Sequence, residues 1–179
     1  MKEQHHPADF WEISEYAERD YVEGIPSAQM IADVESSLGY KLPDAYVQLA
    51  QSQNGGMPKR TRHRTKQPTS WADDHVAITG IFSIGKTKDS SLLGACGSKF
   101  WIDEWGYPPI GIYFADCPSA GHDMLCLDYR SCGPEGEPQV VHIDQENDYE
   151  ITFVAESFEA FIRGLEPNEA FDDAPDADA

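Results

Sequence analysis

Apolar positions in the first third of the chain recur at the three- and four-residue spacing that is typical of helices. Residues 9–21 show this spacing and predict a short helix. A clearer helix follows Ser27, a suitable N-cap, and ends before Gly39, where a left-handed cap is expected. Pro43 suits the first position of the next helix, which ends at residues 54–56. A short link joins the last two helices, so the pattern predicts a helical hairpin.

From residue 75 onward, the period-two alternation of β-strands replaces the helical spacing. The centre of the predicted sheet is a pair of strands within residues 105–130, joined by a loop at residues 116–123 that is rich in turn formers. Further strands are predicted at residues 75–84, 139–144 and 149–155. Ser157 is expected to cap a last helix. We therefore predict an α+β fold, with a central, mostly antiparallel sheet, an N-terminal helical hairpin and a closing C-terminal helix.

The chain is expected to hold one domain with poorly ordered ends. Residues 1–8 are expected to fray, residues 9–166 to form the α+β domain, and residues 167–179 to be an acidic, disordered tail. Residues 57–71 are polar and basic and are too long for a tight turn, so a mobile loop is predicted. Its basic segment, residues 59–66, is either an arm that binds phosphate or carboxylate groups or, as we favour, a solvated loop.

The chain is strongly acidic, with 32 acidic against 13 basic residues and a formal net charge of -19 at pH 7. Such a charge repels nucleic-acid phosphates and anionic lipid and attracts basic proteins, although it also serves solubility alone. No apolar run approaches the roughly 20 residues that span a bilayer, and the first residues lack the apolar core of a signal peptide. We therefore expect a cytoplasmic protein that binds neither nucleic acid nor membrane, as a monomer or a weak homodimer.

Metal and cofactor sites are not expected from the sequence. Cys117, His122, Cys126 and Cys132 lie within sixteen positions, with His142 further on, but they lack the close ligand pairs that zinc sites favour. No glycine-rich phosphate-binding motif is present either. In a cytoplasmic chain of this size the four cysteines are expected to be reduced.

Catalytic residues are not expected either. Ser119, His122 and Asp123 share one loop, but closeness in sequence does not produce the spatial geometry of a triad. The chain also has no GxSxG motif. A hydrolase that uses this loop is kept as a lesser alternative, in which replacing His122 by alanine abolishes an activity and leaves the fold intact.

A partner-binding surface is predicted around the central loop and the acidic turn at residues 144–148. Trp and Tyr side chains often supply the binding energy of an interface, and acidic neighbours would meet basic groups of a partner. The predicted partner-binding residues are Asp103, Glu104, Trp105, Asp116, His122, Asp123, Asp144, Glu146 and Asp148.

Six short motifs stand out by their order and spacing. They are LGYKLP at residues 38–43, QNGG at 53–56, WGYP at 105–108, DCPSAGHD at 116–123, LDYR at 127–130 and GEP at 136–138. In this order they resemble the SUKH superfamily, which includes the yeast cell-wall-synthesis regulator and many bacterial immunity proteins of polymorphic toxin systems. The resemblance covers about residues 10–166.

This resemblance implies an α+β domain with a central, mostly antiparallel sheet and no catalytic set. It implies an immunity-type protein that binds and neutralises a cognate toxin, and a basic, nuclease-like toxin domain would suit the acidity of this chain. The alternative is an intracellular regulatory or scaffold module, as the eukaryotic relatives suggest. The motif residues are interpreted as structural, for example Gly39 as a helix cap and Pro43 as a helix start.

Overall fold

The structure, a computed structural model, describes residues 7–171 and consists of helices packed on antiparallel sheets. The helices are α1 (Pro7–Phe10), α2 (Glu15–Asp20), α3 (Ala28–Leu38), α4 (Asp44–Ser52), α5 (Ser98–Asp103) and α6 (Phe158–Arg163). The strands are β1 (Trp11–Glu12), β2 (Met57–Pro58), β3 (Arg62–Arg64), β4 (His75–Ala77), β5 (Gly80–Ile81), β6 (Gly111–Asp116), β7 (Asp123–Asp128), β8 (Gln139–Asp144), β9 (Glu150–Ala155) and β10 (Leu165–Glu166). Short 3-10 helices lie at Gln145–Asn147 and Asn168–Phe171.

The central sheet has five strands in the order β5-β6-β7-β8-β9, and every neighbouring pair is antiparallel. A three-stranded sheet has the order β10-β3-β4, and β1 pairs with β2. Strands that follow one another in sequence also lie side by side from β5 to β9, as expected for strands joined by turns. The predicted α+β class with a mostly antiparallel central sheet is confirmed.

β6, β7 and β8 are buried on both faces, which agrees with the long apolar runs in their sequences. Phe114 of β6 packs on Phe158 and Phe161 of α6, with ring centroids 5.6 Å apart in each case. Its neighbour Tyr113 packs instead on Tyr107, 5.2 Å away, in the segment that follows α5. Each large side chain buried in this way contributes about 1.5–3 kcal/mol. The sheet is therefore held between two packed layers.

The predicted helix at residues 9–21 is wrong, because β1 interrupts it. Trp11 is buried and pairs with Pro58, whereas Ile13, which the helical spacing assigned to the apolar face, is 87% exposed. Ser14 then starts α2, since its hydroxyl accepts a hydrogen bond from the backbone of Ala17 at 3.0 Å.

The predicted mobile loop at residues 57–71 contains two strands, β2 and β3, so that prediction is wrong for these positions. β3 lies between β10 and β4, where His63 pairs with Leu165 on one side and Val76 on the other. The ring of His63 also stacks on Phe161, with centroids 5.4 Å apart. Pairing on both edges fixes this segment in spite of its polar sequence.

The predicted strand at residues 75–84 is divided into β4 and β5, which belong to different sheets. The chain changes sheet at Ile78 and Thr79, whose backbone N–H groups donate to Thr61 and Asp116 respectively. Gly80 follows, and a Cβ atom there would lie 2.3 Å from the ring of Tyr21. Close contact with that ring requires glycine at this position.

The predicted helix caps are present. Gly39 has φ +84° after α3, and the hydroxyls of Ser27 and Ser157 accept backbone hydrogen bonds from the first turns of α3 and α6. Pro43 was predicted at the first helical position of α4. It is instead the N-cap, and the helix begins one residue later, at Asp44.

The ends of the chain are described only in part. α1 begins at Pro7, and the chain after Pro167 forms a 3-10 helix as far as Phe171. Residues 1–6 and 172–179, where fraying and disorder were expected, lie outside the described residues. Between residues 7 and 171, no helix has the length and apolar character needed to cross a bilayer. The four cysteines lie in this range and are unpaired.

Candidate functional site

Three loops that are distant in sequence meet at one end of the central sheet. The β6–β7 loop and the β8–β9 loop leave the sheet at the same end, because Asp123 pairs with Asp144. The segment that follows α5 reaches the same place. We call the side chains that these loops present to solvent the three-loop surface: Glu104, Trp105, His122, Glu146 and Asp148.

Direct contacts hold the three loops together. The rings of Trp105 and His122 meet edge to face, with centroids 5.7 Å apart. Nδ1 of His122 lies 3.4 Å from a carboxylate oxygen of Glu146, and the carbonyl of His122 accepts a hydrogen bond from the backbone of Gln145 at 2.9 Å. The hydroxyl of Tyr149 donates to the carbonyl of Trp105 at 2.5 Å. Each loop therefore contacts the other two.

Gly121 allows the tip of the β6–β7 loop to lie against aromatic rings. Its φ is +93°, and a Cβ atom would lie 2.6 Å from the ring of Trp101 and 3.2 Å from that of Trp105. The hydroxyl of Tyr107 donates to the carbonyl of Gly121 at 2.7 Å. Only glycine combines this backbone conformation with this close approach, so Gly121 positions the adjacent His122 on the surface.

The β8–β9 turn contains two consecutive residues with positive φ, and its acidic side chains are exposed beside them. The carboxylate of Asp144 accepts a hydrogen bond from the backbone of Glu146 at 3.0 Å and so begins the 3-10 helix. Asp148 and Tyr149 then have φ of +55° and +58°, a region that a bulky residue such as tyrosine rarely adopts. The turn leaves Glu146 and Asp148 exposed, while Tyr149 reaches back to Trp105.

The three-loop surface is acidic and contains an aromatic centre. The carboxylates of Glu104, Glu146 and Asp148 and the imidazole of His122 are exposed, and the indole of Trp105 is half-buried. Exposed carboxylates act on approaching charges over a Debye length of about 8–10 Å at ordinary salt.

Three of the predicted partner-binding residues point into the protein. Asp123 and Asp144 are buried, and Asp116 is largely so. The carboxylate of Asp116 accepts hydrogen bonds from the hydroxyl of Tyr21 at 2.8 Å and the backbone of Gly80 at 3.2 Å. Burial raises the pKa of Asp116 to about 6, and these hydrogen bonds oppose part of the shift. These three carboxylates serve internal structure and are not available to a partner.

Asp103 is exposed, but it lines a cavity outside the three-loop surface. It lies at the end of α5 and lines a shallow cavity together with Lys99 and Tyr40. Although it directly precedes Glu104, its side chain forms no hydrogen bond or ion pair with the three-loop surface in the described part of the chain. Five of the nine predicted residues therefore share one surface.

The interior beneath the β6–β7 loop holds a cluster of three polar groups, Cys117, Asp123 and His142, whose ligand-type atoms lie within 4.8 Å of one another. Nε2 of His142 is 2.7 Å from a carboxylate oxygen of Asp123, which is the distance of a charge-assisted hydrogen bond. Burial raises the pKa of the Cys117 thiol, and the neighbouring carboxylates raise it further. A protonated thiol is a poor nucleophile. Oδ1 of Asp123 and Nδ1 of His142 are buried without a hydrogen-bond partner among the described residues. We interpret the cluster as a buried Asp123–His142 pair that links β7 to β8.

The residues of the hydrolase alternative do not come together as a triad among the described contacts. The ring of His122 faces Trp105 and Glu146, whereas the carboxylate of Asp123 faces His142. The hydroxyl of Ser119 accepts a hydrogen bond from the backbone of Asp123 at 3.1 Å. The loop is organised by turn hydrogen bonds.

Sequence reasoning missed the pairing of Asp123 with His142. The sequence indicates this pair if β7 and β8 are neighbouring strands, because Asp123 then lies opposite Asp144. His142 is two positions before Asp144 on the same face, and such diagonal neighbours lie within reach of one another.

Comparison with protein families supports the resemblance seen in the sequence. The family model described as SMI1 / KNR4 family (SUKH-1) matches residues 25–164, which is most of the chain and includes the three-loop surface. A comparison with curated proteins finds no match. The chain belongs to the SMI1 / KNR4 family (SUKH-1).

Proposed function

We propose that this protein is a non-enzymatic, immunity-type protein that binds and neutralises a cognate toxin domain with a basic, nuclease-like surface. The observation that carries the proposal is the three-loop surface, which combines three exposed acids with the adjoining rings of Trp105 and His122. Membership of the SUKH-1 family agrees with an immunity-type or regulator-like module.

The rate of binding and its strength depend on different features of the surface. The net charge of -19 attracts a basic domain and speeds its encounter with the acidic surface. Affinity depends on a few residues buried at the centre of the interface, and Trp105 is the candidate for that role. A nuclease covered in this way loses access to nucleic-acid phosphates. Binding would take place in the cytoplasm, where free cysteines persist.

The experiment that tests the proposal is co-expression with the product of the neighbouring gene, followed by growth and co-purification. We expect rescue of growth together with a stoichiometric complex. The association rate should fall about tenfold or more between low and moderately high salt, because steering is screened. A toxic neighbour that is neither bound nor relieved would contradict the proposal for that pair.

A matched pair of variants locates the binding surface. The first variant, Glu104→Gln/Glu146→Gln/Asp148→Asn, removes three charges from the three-loop surface. The second removes three charges from the opposite end of the sheet, where Asp44, Glu135 and Glu137 line one shallow cavity. The proposal requires a slower association rate for the first variant than for the second. Equal rates would exclude the three-loop surface as the contact.

A regulatory or scaffold module is the second candidate function. The observation that favours it is a separate basic and aromatic surface on β3, which gives the molecule two chemically different faces. Co-purification of several unrelated and harmless partners would support this function against the first.

A further inference from the structure

The outer face of the three-stranded sheet is basic. Along β3, His63 packs inward on Phe161, so Arg62 and Arg64 lie on the opposite, outer face. Lys59, Arg60 and Lys66, just outside the strand, are exposed. We call the set the basic face: Lys59, Arg60, Arg62, Arg64 and Lys66.

Two aromatic rings lie on this face. The guanidinium of Arg62 is 5.4 Å from the ring centroid of Trp71, and that of Arg64 is 4.5 Å from that of Phe171. Phe171 also packs on His75, which lies opposite Arg64 in the strand pair, with centroids 4.2 Å apart. The chain therefore leaves its described part at Phe171, directly on the basic face.

The basic face is only partly neutralised by neighbouring acids. Arg64 forms an ion pair with Glu166 at 2.9 Å, and Asp74 is engaged with His75 at 2.7 Å. Arg62 has further interactions of its own. Within residues 7–171, no ion pair involves Lys59, Arg60 or Lys66.

The sequence that follows Phe171 has the opposite charge. Residues 172–179 read DDAPDADA, with four aspartates and no basic residue. Eight residues reach up to about 26–29 Å when extended, and the basic face, residues 59–66, is also a run of eight residues. The segment is therefore long enough to cover the whole basic face from its attachment at Phe171.

We propose that residues 172–179 dock on the basic face of the same molecule, with their aspartates beside Lys59, Arg60 and Lys66. Attachment at Phe171 gives the segment a high effective concentration at this face, so weak, solvent-exposed charge pairs suffice. The docked segment conceals the main cluster of positive charge on an acidic protein. This inference is independent of the proposed immunity-type function, because it concerns a different surface.

The test compares two-dimensional NMR spectra of the full chain with those of the full-chain variant Asp172→Asn/Asp173→Asn/Asp176→Asn/Asp178→Asn. We expect shifts at the amides of residues 59–66, at His75 and at the indole N–H of Trp71. The shifts should disappear at about 0.5 M NaCl, where the Debye length is roughly 4 Å.

Matched variants of the basic residues decide whether the contact is with this face. In a Lys59→Gln/Arg60→Gln/Lys66→Gln background the tail substitutions should no longer shift the signals of His75 and the Trp71 indole, whereas in a Lys86→Gln/Lys88→Gln/Lys99→Gln background they should. Unchanged spectra, shifts on another surface or shifts that survive high salt would overturn the proposal. Shifts that grow with protein concentration would also overturn it, because they would assign the face to a second copy of the chain.

Discussion

The imidazole of His142 and the carboxylate of Asp123 lie 2.7 Å apart, and both side chains are at most 4% exposed. The pair joins β8 to the start of β7 beneath the three-loop surface. Burial by itself raises the pKa of Asp123, but the hydrogen bond with His142 and the electrostatic attraction of that ring bring the pKa below its ordinary value. The folded state therefore favours the ionised carboxylate at this position.

Replacing His142 by alanine should be strongly destabilising. The substitution leaves the Asp123 carboxylate buried without its partner, and breaking a buried pair in this way costs about 3–5 kcal/mol. His122→Ala is the matched control, since that side chain is exposed and should change the free energy of unfolding by no more than about 0.5 kcal/mol. Urea unfolding at pH 7 measures both, and equal losses would contradict a structural role for the buried pair.

The same pair should contribute to acid sensitivity. Because the pKa of Asp123 is lower in the folded state, the stabilisation is complete above the unfolded pKa of about 4 and is lost as the pH falls through the folded value. An Asp123→Asn variant should therefore lose less stability than the parent chain when the pH is lowered below about 4.

Asp116 should give the opposite pH dependence. Burial raises its pKa to about 6, so between about pH 4 and 6 the folded chain holds a proton that the unfolded chain has lost. Stability is therefore lost as the pH rises through this window, by about 2–3 kcal/mol in total. Asp116→Asn should remove this loss, because the amide does not ionise. Its oxygen still accepts a hydrogen bond from Tyr21.

Urea unfolding at pH 4 and pH 7 checks the expectation for Asp116. The free energy of unfolding of Asp116→Asn, relative to the parent chain, should improve by about 2–3 kcal/mol between the two pH values. The exposed Asp103 provides the control, since Asp103→Asn should show no such change. A difference for Asp116→Asn that is independent of pH would show that its carboxyl titrates normally.

The central strands could be predicted from the sequence because their alternation is long and apolar. Ile112, Phe114, Met124 and Cys126 lie within β6 and β7 as expected. β3 could not be predicted, since the sequence around His63 carries no apolar period. Its extended state results from pairing with β10 and β4 on its two edges.

The sequence predicted which loops form the candidate site but not which of their side chains are exposed. Sequence reasoning grouped the exposed Glu146 with the buried Asp123 and Asp144, because composition does not show which way an acid in a strand or turn points. The approach of Trp105 to His122 depends on the course of the chain after α5, which no local pattern records.

Gly121 should tolerate no side chain. Alanine at φ +93° is strained by roughly 1–2 kcal/mol, and its Cβ would meet the ring of Trp101 at 2.6 Å, which adds about 1–3 kcal/mol of overpacking. Gly133 is the matched control, because its φ is +79° but a Cβ atom there meets nothing within 4 Å. Gly121→Ala should therefore unfold at lower urea than Gly133→Ala. Equal midpoints would show that the β6–β7 loop moves away from the rings at little cost.

Trp105 should supply a large part of the binding energy for a basic partner, if the proposed function holds. Removal of a central indole typically costs 2 kcal/mol or more, which is a rise in Kd of about thirtyfold. Trp105→Ala keeps the backbone carbonyl that accepts the hydrogen bond from Tyr149, so the loop contact persists. Trp71→Ala is the matched control, because that indole is 37% exposed and lies over Arg62 on the basic face. Calorimetric titration of the partner should show the loss for Trp105→Ala alone, and a loss for Trp71→Ala alone would move the contact to the basic face.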